Sequence, residues 1–159
     1  FVLNMMPPPQ PFKIVDTLQI AKSKFAFTSN KLEYLAKALG CENTKMTIRK
    51  FDGMELWNEC LKNNYEAWDE MEEYNVMDVV VLEEVFKRLR PWMTNQMNYN
   101  LFTEEDSEDV CQKCGHDNLH RRGFAYTNQG KFQTYRCAKC GAYSRSTKSV
   151  KRTQMTGVV

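Results

Sequence analysis

The chain has 159 residues, 42% of them apolar and 26% charged, which gives room for one ordinary domain or for a medium domain with a small satellite. The net charge of +2 hides a division, since residues 1–110 carry 12 Lys and Arg against 19 Asp and Glu, whereas residues 111–159 carry 10 against the single acid Asp117. No apolar run could cross a bilayer and no secretory signal opens the chain, so composition excludes a membrane partner and predicts a cytoplasmic location, that of the host if the protein is viral.

Residues 1–94 are predicted to form one domain that opens on a proline-rich, extended segment. Residues 12–16 alternate well enough for a short strand, and residues 17–24 predict a short helix. The first residue is Phe1 and not a methionine, which suggests a fragment or a processed product.

Further segments of this domain have helical periodicity. Residues 30–39 predict a helix in which Asn30 and Glu33 form a capping box and which Gly40 ends. Shorter helices are predicted at residues 53–63 and 65–71, the second running, with or without a break, into the next helix.

A long helix over residues 73–92 is the element around which the chain is organised. Its apolar positions recur at helical spacing, and its three consecutive valines predict burial on most sides. Tyr74 and Asp78 are four residues apart and therefore share one face. A Tyr and an Asp at this spacing occur by chance on many helices, but an acid at the edge of a buried face must be paired, protonated or bound to a metal. The apolar positions are Val81, Leu82, Val85, Phe86 and Leu89.

Residues 95–110 are predicted to be a linker, because polar residues dominate them and five acids fall between positions 104 and 109. A basic module at residues 111–152 and a tail at residues 153–159 complete the predicted organisation. The strong charge asymmetry between the two parts indicates that the basic module meets a polyanion.

Two Cys-x-x-Cys-Gly motifs, with 22 residues between Cys114 and Cys137, characterise the basic module. A two-residue gap lets both thiolates of a motif reach one zinc ion, and residues 119–137 alternate around an Asn-Gln-Gly turn, which predicts a β-hairpin. We therefore predict a zinc ribbon with a structural Zn²⁺; two disulfides or two unrelated thiol pairs are the alternatives. The predicted zinc ligands are Cys111, Cys114, Cys137 and Cys140.

Basic and aromatic side chains are interleaved along the ribbon. Cations neutralise phosphate and exposed rings can stack on unpaired bases, so the ribbon is predicted to bind nucleic acid. These residues do not distinguish DNA from RNA, and DNA is the partner that we expect. A small ribbon also needs rings for its core, and we expect two or three of them inside. The predicted nucleic-acid-binding residues are Arg121, Arg122, Lys131, Arg136, Arg145 and Lys148.

Three stretches come in an order that resembles the C-terminal half of DnaQ-like 3′–5′ exonucleases of the ribonuclease H-like superfamily. They are IVDTLQIAK at 14–22, SNKLEYLAKALG at 29–40 and YNVMDVVVLEEVF at 74–86. The resemblance covers roughly residues 10–92 and points to the tyrosine-containing DEDD subgroup, with the ribbon as an accessory domain of phage-type members. It implies an α/β chain that has mainly the helical C-terminal half of a ribonuclease H-like exonuclease fold, plus a small β zinc ribbon.

The resemblance also implies a catalytic site in which four carboxylates hold two divalent ions, Mg²⁺ or Mn²⁺. Asp78 would be a metal ligand and Tyr74 would orient the attacking water. The first two acidic motifs of the family are absent. Asp16 does not replace them, because its context matches the strand after the second motif, where the acid is not a metal ligand. The chain is therefore expected to need a second polypeptide or an N-terminal segment for catalysis, and to expose apolar surface that this partner would cover.

Two function classes remain open on the sequence. The first is part of a metal-dependent 3′–5′ exonuclease, and the second is a non-catalytic zinc-ribbon module that binds nucleic acid while the helices serve as a scaffold. A ribbon that binds an acidic protein is a third possibility, which the residues neither support nor exclude.

Overall fold

The computed structural model describes residues 13–43, 50–104 and 109–155, and they form two compact units. One unit, Thr17–Arg90, is helical; the other contains residues 13–16 and the described residues after 90, including a three-stranded antiparallel sheet. The fold class is therefore α/β. The proline-rich opening up to residue 12, linker residues 105–108 and tail residues 156–159 lie outside the described part. Within that part, no helix combines the length and the apolar composition needed to span a bilayer.

The helical unit is built on one long helix against which three short helices pack. The short helices are α1 (Thr17–Lys24), α2 (Leu32–Ala38) and α3 (Met54–Leu61), and the long helix is α4 (Tyr65–Leu89). Each short helix contributes two buried side chains, which are Ile20 and Ala21, Leu35 and Ala36, and Leu56 and Cys60. The predicted helices are confirmed, with ends displaced by a few residues.

The central helix α4 runs for 25 residues without a break. It begins after Asn64, whose side-chain oxygen accepts a hydrogen bond from the Glu66 backbone N–H at 3.1 Å, and a short 3₁₀ turn at Arg90–Trp92 follows it. The prediction that α4 is buried on most sides is wrong, since Val76 and Val79 are 57% and 67% exposed. The short helices cover only one stripe of α4, so the remaining valines face outward.

The prediction of a strand at residues 12–16 is also wrong for the part that the structure describes, residues 13–16. A strand needs a neighbour for its backbone hydrogen bonds, and the three described strands pair only with one another. Ile14, which the prediction placed on one strand face, is exposed.

The start of α2 differs from prediction, whereas its end agrees. Lys31 occupies the position before the helix and no side chain caps it, so Asn30 and Glu33 do not form a capping box. Gly40 has a φ of +65°, and its N–H donates to the Lys37 carbonyl at 3.2 Å, which is the C-terminal turn that favours glycine.

Two glutamates of α4 hold loop backbone by accepting hydrogen bonds from it. The Glu84 carboxylate accepts from the Glu42 N–H at 2.8 Å and from the Asn43 N–H at 3.3 Å, and also from the Asn43 side-chain amide. Glu70 accepts from the Lys50 N–H at 3.1 Å. These bonds fix loop segments whose own sequence has no regular periodicity.

We expect the stability of the helical unit to depend on pH through Glu84. The hydrogen bond from the Asn43 side chain, with those from backbone N–H groups, lowers the pKa of Glu84 below its ordinary value of 4.5. A carboxyl with a depressed folded-state pKa stabilises the fold above that ordinary value, and the contribution is lost as pH falls through the folded-state pKa. Urea unfolding of Glu84→Gln should therefore show a smaller loss of stability than wild type on acidification.

Glu83→Gln is the matched control for this experiment, because Glu83 lies next to Glu84 on α4 and only pairs with Lys87 at the exposed surface, at 2.6 Å. If acidification destabilises the two variants equally, Glu84 does not anchor the loop.

The sheet of the second unit contains β1 (Leu119–Tyr126), β2 (Gly130–Cys137) and β3 (Tyr143–Arg152) in the order β1-β2-β3. The predicted hairpin is confirmed, with the Thr127 N–H donating to the Gly130 carbonyl at 2.9 Å across the turn. The third strand is additional to the prediction. None of the rings of the sheet is fully buried, so the expectation of two or three rings inside is wrong.

Candidate functional site

Asp78 occupies a position in the buried stripe of α4. The side chains of α4 that face the short helices recur at intervals of three and four residues, and Asp78 falls in this series, three residues before Val81 and seven after Met71. Tyr74 belongs to the same series, and its ring packs against the cluster of Leu56, Cys60, Ala67 and Met71. The sequence analysis placed Asp78 at the edge of the buried face, whereas the structure places it within the stripe.

A cleft of about 380 Å³ opens at this point of α4. Tyr74, Asp78 and Val81 line it from α4, and Lys31 with the first residues of α2, Leu32 and Glu33, lines it from the other side. Asp78 is a half-buried residue, and its side chain forms no hydrogen bond or ion pair with any residue that the structure describes. An acid without a protein partner, in a series of helix positions that otherwise holds apolar and aromatic side chains, is expected where the group binds a ligand.

The cleft does not hold the four acids that a two-metal site needs. Glu33 is the second carboxylate that lines it, and its side chain pairs with Lys37 at 3.0 Å. Across the described ranges, the cysteine cluster treated below is the one group of three or more Cys, His, Asp or Glu side chains that converges on a point. Glu33 was interpreted from sequence as a capping residue, so its place in the cleft was missed.

The four predicted zinc ligands come together at one end of the sheet. All four sulfur atoms lie within 4.8 Å of one another, and the Sγ atoms of Cys111 and Cys140, and of Cys114 and Cys137, are 3.6 Å apart. Thiolates at about 2.3 Å from a tetrahedral zinc ion lie about 3.8 Å apart, so the cluster has the dimensions of a four-thiolate metal site. All four are free thiols, which removes the disulfide alternative.

The two cysteine motifs have the same backbone geometry, which explains how the sulfurs converge. In the first, the Cys111 N–H donates to the His116 carbonyl at 2.8 Å, and in the second, the Cys137 N–H donates to the Ala142 carbonyl at 2.9 Å. Each motif ends on a glycine with positive φ, +71° at Gly115 and +76° at Gly141. These glycines adopt the left-handed conformation that turns the chain back over the cysteines.

The pKa values of Cys114, Cys137 and Cys140 are shifted in different directions. Burial raises the pKa of Cys114 and Cys140. Burial acts in the same direction on Cys137, but the N–H groups of Cys140 and Lys139 point at its sulfur and lower its pKa to about 7. A metal ion binds thiolates, so its affinity for this cluster should rise with pH.

The six predicted nucleic-acid-binding residues lie on β1, β2 and β3, but the sheet does not bring them to one surface. Arg136 and Arg145 point to one side of the sheet, and Arg121 and Lys131 to the other, as the strand register requires. Arg122 lies on the same side of the sheet as Arg136, and the two line one groove. Lys148 lies in an irregular stretch of β3.

Among the described residues of the ribbon, no Lys or Arg forms an ion pair with a carboxylate. Two further cations, Lys139 and Arg152, line grooves of the sheet and are not among the six predicted residues.

Comparison with known proteins gives one match. A family model described as RNase_H_2, in the RNase_H superfamily, matches residues 2–90. No curated protein and no solved structure matches the chain. The match contains the whole cleft around Asp78 and ends before the cysteine motifs. The evidence for metal binding by the four cysteines is therefore the geometry of their cluster alone.

Proposed function

Because the chain belongs to the RNase H superfamily, we propose that its helical unit is part of a metal-dependent 3′–5′ exonuclease of the tyrosine-containing type. The observation that carries this proposal is the unpartnered carboxylate of the half-buried residue Asp78, which shares a cleft with Tyr74 one helical turn away. A structural role would leave this position of the α4 stripe apolar, because a half-buried acid weakens the packing.

The donor atoms of the cleft suit a hard divalent cation. Carboxylate oxygen is the ligand that Mg²⁺ and Mn²⁺ prefer, and the Asp78 carboxylate has no cationic side chain on it in the described part of the chain. Two such ions, when bound, would lower the pKa of an attacking water and stabilise the charge on the leaving oxygen. Asp78 would hold one ion, and the Tyr74 hydroxyl would orient the water through a hydrogen bond.

The remaining carboxylates are proposed to come from another polypeptide segment that packs on the helical unit. Asp78 and Glu33 are the acids that line the cleft, and a two-metal site needs more. The uncovered side of α4 supports such a partner, since Val76, Val79 and Leu82 are exposed there, and Trp57 is exposed on neighbouring α3. Contiguous exposed apolar side chains mark surfaces that other chains cover.

The ribbon is proposed to hold the nucleic-acid substrate, DNA rather than RNA. Its four clustered thiols would bind Zn²⁺ as a structural ion, and thiolate ligands persist in the reducing cytoplasm. Its unpaired Lys and Arg side chains leave a positive surface for the phosphate chain. The phage-type assignment rests on the ribbon that follows the exonuclease-like part.

A reconstitution tests the exonuclease proposal. The full chain is combined with the polypeptide encoded directly upstream of Phe1, and digestion of a 5′-labelled DNA strand is followed with Mg²⁺ or with EDTA. We expect shortening from the 3′ end with Mg²⁺ and none with EDTA. If the reconstituted protein binds the strand without any metal-dependent digestion, the exonuclease proposal is wrong and the chain is a non-catalytic binding module.

A further inference from the structure

The two faces of the three-stranded sheet differ in chemistry. Strand β2 alternates regularly, so its even-numbered residues define one face and its odd-numbered residues the other. We call the first the arginine face, because Arg136 lies opposite Tyr143, and Thr134 opposite Arg145, on that side. The second is the lysine face, where Lys131 lies opposite Lys151.

Two grooves on the arginine face are lined by cations. One, of about 460 Å³, lies beside the second cysteine motif and is lined by His120, Arg122, Arg136 and Lys139. The other, of about 600 Å³, lies at the hairpin turn and is lined by Arg145 and Arg152 with the ring of Phe132. No carboxylate of the described residues lines either groove. Cations therefore line this face at both ends of the sheet.

The lysine face is less suited to phosphate. Its groove, of about 520 Å³, is lined by Arg121 and by Arg145, which reaches it from the edge strand β3, but also by the acids Asp109 and Asp117. The Lys131 ammonium lies 3.8 Å from the centre of the Phe124 ring, so the cation and the ring already contact each other. A phosphate there would meet negative charge, and a base would have to displace the lysine.

We propose that the arginine face binds the sugar–phosphate backbone of a single nucleic-acid strand, while Tyr143 stacks on an unpaired base. This inference rests on the proposed role of the ribbon in holding the substrate and assigns that role to one face. The arginines are distributed along six residue steps of β2, or about 20 Å, which accommodates several phosphates. The ring of Tyr143 is 63% exposed beside Arg136, and a ring in this position can stack on a splayed base but not on the closed stack of a duplex.

Charge reversal on one strand tests the assignment. Arg145→Glu and Lys151→Glu change the same charge at exposed positions of β3 but on opposite faces. Arg136→Glu is the variant that decides between the faces, since Arg136 lines a groove of the arginine face alone, whereas Arg145 also lines the groove of the lysine face and contacts the Phe132 ring at 4.6 Å. The dissociation constant of the full, zinc-loaded chain for a fluorescein-labelled oligothymidine is measured by anisotropy over a range of salt concentrations, with zinc content as the check of folding.

We expect each arginine-face variant to bind about tenfold or more weakly, and the slope of log K against log salt to lose about 0.7 per phosphate contact. Lys151→Glu should bind nearly as wild type. Three results would overturn the assignment: equal weakening by Lys151→Glu, equally tight binding of a blunt duplex, or equal competition by polyglutamate, which would indicate an acidic protein partner. If the wild-type chain binds no oligonucleotide, the proposed role of the ribbon in holding the substrate is wrong as well. Equal weakening by the two β3 variants would overturn only the assignment of this role to the arginine face.

Discussion

Cys137→Ser is expected to unfold the ribbon almost completely while α1 to α4 keep their helical signal. Within residues 109–155, the buried side chains are Cys111, Cys137 and Ala142, so the sheet has almost no apolar core apart from the cysteine cluster. In small metal-dependent domains the structural zinc contributes about 10–16 kcal/mol, which is more than the rest of such a domain supplies. A serine oxygen is a poor replacement for one of four thiolates.

Amide hydrogen exchange and zinc content measure this effect. We expect the variant to lose its bound zinc and the protection of β1 and β2, and EDTA to do the same to the wild-type chain, with recovery on adding Zn²⁺ but not Mg²⁺. Cys41→Ser is the matched control, because Cys41 is a free thiol on the helical unit, outside the cluster. Retention of one zinc and of a protected hairpin in Cys137→Ser would refute the metal site.

The sequence predicted which helices and strands the chain forms better than it predicted how these elements pair and which of their residues are buried. Helices α1 to α4 and the hairpin follow from local periodicity and turn chemistry, and the convergence of the four cysteines follows from the spacing of the motifs. The prediction of a strand at residues 12–16 is wrong for the described residues 13–16, because a strand depends on a pairing partner that the local sequence does not specify. The predicted burial of the α4 valines failed for a similar reason, since apolar periodicity shows that a residue can be buried but not what covers it.

The surface of the ribbon could be predicted only in part. Composition identifies the cations, but the face on which each lies depends on irregularities in β1 and β3, which shift the register by one residue in β1 and by one and then two residues in β3. Arg121 and Arg122 are neighbours in the sequence, yet one lies in the groove with Asp117 and the other in the groove with Arg136. Glu33 illustrates the same limit in the helical unit, because its place opposite Asp78 depends on how α2 packs against α4.

Asp78→Asn is expected to lower the exonuclease activity of the reconstituted protein by about a thousandfold or more, because a metal ligand supplies several kcal/mol of charge stabilisation to the transition state. Tyr74→Phe keeps the ring in the core and removes only the hydroxyl, so we expect a smaller loss, of about a hundredfold, through poorer orientation of the water. Single-turnover digestion of a labelled strand at saturating Mg²⁺ measures both. Activity that survives in Asp78→Asn would exclude a ligand role.

A second substitution at position 78, through its effect on the stability of the fold, distinguishes a functional role of Asp78 from a structural one. Asp78 lies in the apolar stripe of α4 between Met71 and Val81, so Asp78→Leu should abolish activity and yet stabilise the fold, by about 1 kcal/mol for partial burial of the new side chain. Glu83→Leu, on the exposed side of α4, should leave the stability of the fold nearly unchanged. A structural aspartate would behave in the opposite way, because its replacement would break contacts and lower the unfolding free energy. A raised unfolding midpoint together with lost activity is the result expected of an acid kept in the stripe for its chemistry.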